Sequence, residues 1–172
     1  MEDNGTLKWR IDVSTFRLIG RDLITDRVTA LFELVKNCYD ANATEVTVKF
    51  DNVGLDKQNS AITISDDGFG MSFADIRDKW MVIGTSNKRS NPYTPLPFHR
   101  KCVGEKGIGR FAVDKLGDKV NIITKQEGEN DWLNVEIDWE SYYNNSNNQQ
   151  LSLFTDIENH YEFYPAEDKT EH

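Results

Sequence analysis

The sequence predicts an α+β protein, a two-layer sandwich with helices on one face of a mixed, mostly antiparallel sheet. Three observations predict it. Apolar residues recur at helical spacing across residues 22–41. Alternating apolar–polar runs come in pairs joined by short polar loops, at 45–51 with 61–65 and at 119–124 with 132–139. The order of elements is β, long α, β, β, α, loop, α, β, β, which groups strands in consecutive pairs instead of alternating them singly with helices. The 172 residues suffice for one well-cored domain, so 1–172 is read as a single domain.

Taken in order, residues 1–6 are a polar arm and 7–13 (LKWRIDV) a short strand, followed by a connector over 14–21. The helix over 22–41 is expected to bury a stripe made by Ile24, Val28, Leu31, Phe32 and Val35, with Asn42 as its left-handed cap. Glu33 and Asn37 are four apart and share a face, and Asp40 falls close to the same line. Such a row is most often a solvated face. Beside a ligand it becomes one carboxylate for a water proton and one amide oxygen for a hard cation.

The loop 52–60 joins two strands, the second of which runs into Asp66-Asp67-Gly68-Phe69-Gly70-Met71. Ser72 caps a helix over 73–80. Asp75 stands where a capping box normally has Glu or Gln, so a complete box is not expected. Residues 85–103 hold Pro92, Pro95 and Pro97 and read as one long irregular loop, the kind that forms a lid. Gly104-Glu-Lys-Gly-Ile-Gly109 leads into a helix over 110–116, with Phe111, Ala112 and Leu116 inward and Gly117 as its stop. A hairpin at 126–131 follows, then an Asn/Gln-rich loop over 143–150, one more strand over 151–156 and a charged tail over 166–172. Trp9, Trp80, Trp132 and Trp139 read as core or sheet-face residues.

Composition excludes several classes. With 38% hydrophobic and 28% charged residues the chain reads as globular, and a net charge of -9 argues against a generic nucleic-acid surface. Cys38 and Cys102 make no disulfide framework and no zinc pattern. They fit a reduced, cytoplasmic setting. No apolar run approaches the ~18 residues of a membrane span. Against the net charge, Lys88, Arg89, Arg100, Lys101, Lys106 and Arg110 cluster between 85 and 110 with Glu105 as the one acid. The cluster fits either an anionic ligand or a solvated loop.

The two glycine stretches carry the chemistry. Two glycines one apart at a strand end allow a tight turn and close approach of a ligand, and the ionised Asp67 beside them is acceptor-only. Beside a ligand it would take a hydrogen bond from an exocyclic amine such as adenine N6 and disfavour guanine, whereas by itself the stretch reads better as an ordinary Asp-Gly hairpin turn. Gly104, Gly107 and Gly109 ahead of a helix form a phosphate-cradle pattern. A Walker A loop fails because Arg110-Phe111 replaces Lys-Ser/Thr, and a dinucleotide fingerprint from Gly107 fails because 98–103 is a poor strand.

Three stretches in this order resemble one family. ALFELVKNCYDA (30–41) is similar to the N box, SDDGFGM (65–71) to the G1 box and GEKGIGRFA (104–112) to the G2 box of the GHKL ATPases, the gyrase, heat-shock chaperone, histidine kinase and MutL relatives. The Asn37-to-Ala41 ending and IGTSNK (83–88) look most like the chaperone-like, MORC-like and bacterial stand-alone members. The resemblance implies a Bergerat-type ATP site. Glu33 would be the general base, Asn37 the Mg²⁺ ligand, and Asp67 the adenine reader, with Asp40 and Ala41 within the site. Gly68, Gly70 and Met71 would flank the base, and Gly104, Gly107, Ile108, Gly109 and Phe111 would hold the phosphates. Thr124 would support the adenine-side Asp. Lys88, Lys106 and Arg110 are phosphate candidates from local charge. The implied function is Mg²⁺-dependent ATP binding with slow hydrolysis driving conformational change in a larger protein. A C-terminal transducer-type domain with a further Lys and an ATP-dependent homodimer are the implied partners. The alternatives are a histidine-kinase-type phosphotransfer domain and a nucleotide-gated module without turnover. Against the kinase, His99, His160 and His172 all lie downstream of the N box.

Overall fold

The computed structural model describes residues 11–13, 15, 18, 22, 24–56, 58–83, 92–104, 109–144 and 157–166. Residues 7–10 of the predicted strand over 7–13 lie outside these, as do the first part of the 85–103 loop, most of the 143–150 loop, the strand over 151–156 and nearly all of the tail.

Helix α1 spans Arg27–Asp40. It begins five residues later than the periodicity predicted because Asp26 is extended and caps it, accepting from the Thr29 backbone N–H at 2.8 Å. It ends in a Schellman motif. Asn42 takes φ 64°, its N–H donates to Tyr39 O, and the Ala43 N–H donates to Cys38 O. Asn42 is thus the left-handed residue expected.

The predicted buried stripe is corrected in part: Ile24 is buried as expected, and Leu31 and Val35 are half-buried. Val28 and Phe32 are 63% and 62% exposed, while Ala30 and Cys38 are buried, with Leu34 between them in contact with the core. Residues 30, 34 and 38 satisfy helical spacing as well as 28, 32 and 35 do. The small Ala30 lets α1 approach Ala112 of a neighbouring helix, so packing selected the less apolar stripe.

Strands β1 (Val46–Asp51) and β2 (Ala61–Asp66) form an antiparallel pair in which Val46 faces Asp66, Val48 faces Ile64 and Phe50 faces Ile62. Helix α2 follows, one α turn over Phe73–Asp75 that widens into a π turn over Ile76–Trp80. Its capping box is complete, contrary to expectation. Asp75 N–H donates to Ser72 Oγ at 3.1 Å and Ser72 N–H donates back to Asp75 Oδ2 at 3.0 Å, so the shorter carboxylate reaches.

A 3₁₀ turn over Gly109–Phe111 opens helix α3 (Ala112–Leu116). Strands β3 (Lys119–Thr124), β4 (Asp131–Asp138) and β5 (His160–Pro165) make a second antiparallel sheet in the order β3-β4-β5. Helix α4 (Trp139–Asn144) begins where a loop was expected soon after. Asp138 starts it, accepting from Glu140 N–H at 3.0 Å through its side chain and from Ser141 Oγ at 2.6 Å through its carbonyl. Neither α4 nor β5 was anticipated.

Among the described residues the strands thus form two antiparallel sheets with helices against them, an α+β architecture. The main core gathers Val13, Ile76, Phe111, Leu133, Val135, Ile137, Trp139 and Tyr142, joined by Met71, Phe73 and Trp80. The inward residues of β4 recur at period two, as a strand requires. A smaller cluster of Ile24, Ala30 and Ala112 pins α1 to α3. No helix among the described residues is long and apolar enough to cross a membrane.

Candidate functional site

The site is assembled where α1 runs past the 3₁₀ turn at Gly109. A Cβ placed on Gly109 would lie 3.1 Å from Glu33 Oε2 and 3.9 Å from Asn37 Nδ2. The glycine therefore lets the 3₁₀ turn pack close to two α1 side chains that the helix sets on one face. Glu33 Oε1 accepts from Lys36 Nζ at 2.6 Å, one helical turn on, which leaves Oε2 toward Gly109.

Asp40, on the same side of α1, accepts from Val103 N–H at 2.9 Å and Gly104 N–H at 3.1 Å. It holds the entrance of the glycine stretch by its backbone. Lys88, Lys106, Gly107, Ile108 and the side chain of Arg110 lie outside the described residues. Phe111 is 6% exposed and packs in the main core, so its ring does not face a ligand. Aromatic bulk after Gly-x-Gly-Arg serves the core.

The 65–71 stretch closes the other end. Ala41 O accepts from Phe69 N–H at 3.0 Å. A Cβ on Gly68 would meet Ala41 O and Asp66 Oδ1, each at 2.7 Å, and one on Gly70, where φ is 66°, would meet Lys125 O at 2.1 Å. These glycines let the ends of α1 and β3 close on the turn. Met71 N–H donates to the buried Thr124 Oγ1 at 2.9 Å, so Thr124 braces the turn through its backbone.

Asp67 is turned to the side. Its carboxylate accepts from Thr44 N–H at 2.7 Å, Glu45 N–H at 2.9 Å and the Thr44 hydroxyl. The Thr44 hydroxyl, then the Glu45 and Thr44 backbone N–H groups, hold its carboxyl down at about 2. The neighbouring Asp66 was not among the expected site residues. It ends β2 on the face of Ile62 and Ile64, is exposed, and accepts from Gly68 N–H at 2.9 Å. It lies against Cys38 of α1, whose thiol is pushed up to about 12 by burial first and the Asp66 charge second. Period-two alternation along β2 would have found it: 62, 64 and 66 share a face, and 67 does not.

Among the described residues no group of three or more His, Cys, Asp or Glu could hold a metal ion. Asn37, whose amide stands beside Gly109 with Nδ2 the nearer atom, carries an oxygen of the kind a hard cation takes.

Comparison with known proteins gives this geometry its context. Residues 25–166 match the family described as histidine kinase-, DNA gyrase B-, and HSP90-like ATPase. The chain is similar to the putative type II restriction enzyme HgiDII of Herpetosiphon aurantiacus, with 28% identity over 74% of this chain and 19% of the relative. It is similar to the chaperone protein HtpG of Sulfurovum sp., with 26% identity over 66% of this chain and 21% of the relative. HtpG of Natranaerobius thermophilus is 27% identical over 80% of this chain and 23% of its own length. The chain thus spans about a fifth of the length of the curated relatives it matches. On the match across most of its length, this chain belongs to the histidine kinase-, DNA gyrase B- and HSP90-like ATPase family, the GHKL superfamily, and carries that family's ATP-binding domain.

Proposed function

We propose that this domain binds Mg²⁺-ATP, hydrolyses it slowly, and uses the cycle to drive conformational change or dimerisation in a larger protein. The observation that carries the reading is the close approach of Gly109 to α1, where the Glu33 carboxylate and the Asn37 amide stand beside it from one helix face. Glu33 is the base: it takes a proton from water as the water oxygen bonds to the γ-phosphorus, while the β–γ bridging P–O bond breaks and that oxygen leaves with ADP. Asn37 holds Mg²⁺, which when bound neutralises charge on the phosphate oxygens.

Backbone N–H groups between Gly104 and Gly109 take the phosphates, aligned by Asp40, with Lys88, Lys106 and Arg110 as charge partners. Asp66 takes the adenine amine in place of Asp67, whose oxygens are engaged by Thr44 and Glu45. Gly68, Gly70, Met71 and Thr124 hold the turn that carries Asp66, and Ala41 closes it from α1.

Titration calorimetry with ATP, ADP and GTP, with and without Mg²⁺, tests the binding half. Mg²⁺-dependent adenine-nucleotide binding with GTP excluded is expected, and equal binding of GTP would remove the Asp66 role. Glu33→Ala tests the chemistry. Turnover should fall by about 10²–10⁴-fold with ATP affinity kept. An unchanged rate would show that Glu33 is not the base, and labelled phosphate retained on the protein would favour phosphotransfer. Dimerisation through residues 1–13 predicts a crosslinked dimer with a non-hydrolysable ATP analogue, and monomer alone would count against it.

A further inference from the structure

The loop expected to be structureless is folded along its second half. Thr94, 2% exposed, exchanges hydrogen bonds with Arg100: Thr94 N–H donates to Arg100 O at 2.7 Å, and Arg100 N–H donates to Thr94 Oγ1 at 2.9 Å. Tyr93 and Lys101 bridge as antiparallel strands, and the Cys102 N–H donates to Pro92 O at 2.8 Å. This small hairpin is fastened to the end of α1 by two side chains. Asn42 Nδ2 donates to Pro95 O at 2.8 Å. Arg100 donates through Nη1 to Ala43 O at 2.7 Å. Its guanidinium carbon stands 4.2 Å from the ring centre of Phe98 and 4.9 Å from that of Tyr39, a cation between two aromatic faces.

Three residues further on, the chain reaches Val103 and Gly104, whose N–H groups are held by Asp40. Tyr39, Asp40, Asn42 and Ala43 are consecutive or nearly so at the end of α1. One helix terminus therefore grips the hairpin and the mouth of the glycine stretch together. The C-terminal end of the helix dipole favours a cation there. Arg100, one of the six basic residues that suggested an anion site, has its charge engaged with α1.

We propose that Arg100 is a positioning residue for nucleotide phosphates. It clamps the 92–104 segment to the end of α1, so that Asp40 meets Val103 and Gly104 and the glycine stretch starts in a fixed place. The role rests on the nucleotide reading above. The contacts of Arg100 itself, to Ala43 O, Tyr39 and Phe98, include no residue of the 65–71 turn, so its loss should be felt first at the phosphate end of the ligand.

The test compares wild type with Arg100→Gln, Arg100→Lys and Asp40→Asn in the whole chain, titrating Mg²⁺-ATP and adenosine separately. Arg100→Gln and Asp40→Asn should each weaken ATP by about tenfold, the loss of one charge-assisted contact network, and leave adenosine within about twofold. Arg100→Lys should restore part of the loss, since lysine keeps the charge without the planar stack. A parallel fall of ATP and adenosine with a drop in melting temperature would reduce Arg100 to a structural residue and overturn the proposal, as would no fall at all. Amide exchange gives a readout without ligand. Faster exchange at Val103 and Gly104 in Arg100→Gln is expected, and unchanged exchange there overturns the clamp. Wild type that binds no adenine nucleotide would instead overturn the nucleotide reading, while the exchange result still decides whether Arg100 holds the segment.

Discussion

Asp67 accepts from Thr44 and Glu45, and each of those hydrogen bonds favours its ionised form, which places its carboxyl at about 2 in the folded chain. An ordinary aspartate titrates near ~3.9. The folded value is depressed, so the contribution to stability is complete above pH ~4 and disappears as pH falls toward 2. The urea midpoint of Asp67→Asn should lie below that of wild type at pH 6, and the gap should close between pH ~4 and ~2. A gap independent of pH would mean that the carboxylate charge is not what the connection uses. Gly70 makes a different residue-scale prediction. Its φ of 66° and the 2.1 Å approach of a Cβ to Lys125 O leave no room for a side chain. Gly70→Ala should cost at least about 1–3 kcal/mol from the backbone conformation alone, measured by chemical denaturation.

At the scale of the element, α1 is placed by its ends. Asp26 satisfies Thr29 N–H and Thr29 Oγ1 at 2.8 and 3.0 Å, while Asn42 turns the chain into the left-handed region at the other end. Asp26→Ala should lower the thermal or urea midpoint by more than Glu127→Ala, a control at an exposed loop position. A loss no larger than the control's would show that α1 is held by packing alone. Helix α2 has the same logic at its start, with Ser72 and Asp75 capping each other, but widens at once. Met81 N–H reaches back to Ile76 O, five residues away, and the π turn brings Trp80 and Met81 both against the main core.

Across the whole molecule, site and core share a segment. Gly109 faces Glu33, and two residues later Phe111 is buried against Trp139 and β4. Phe111→Ala should therefore cost about 3–5 kcal/mol of stability by opening a cavity. It should also weaken Mg²⁺-ATP binding at temperatures where the variant is still folded, because the 3₁₀ turn that carries Gly109 loses its anchor. Retained affinity in the folded variant would mean that the turn is positioned from α1 instead.

Much of the site was readable in the residues. Spacing alone put Glu33, Asn37 and Asp40 along one side of a helix, since 3.6 residues per turn leaves little choice, and the glycines marked where backbone must bend or approach. The α+β class followed from period-two pairs around one period-3.6 segment. Tertiary structure decided what local pattern leaves degenerate. Residues 28, 32, 35 and 30, 34, 38 are both helical stripes, and only the fit of Ala30 to Ala112 selects one. Asp66 and Asp67 are chemically identical, and only the end of β2 and the donors of Thr44 and Glu45 give them separate partners. Charge alone left Arg100 open between an anionic ligand and a solvated loop, and only the packing of Tyr39, Phe98 and Ala43 around it gives it a place. Periodicity reports which faces exist along a segment. Which face meets which partner is a property of contacts between segments distant in the chain, and those appear only when it is folded.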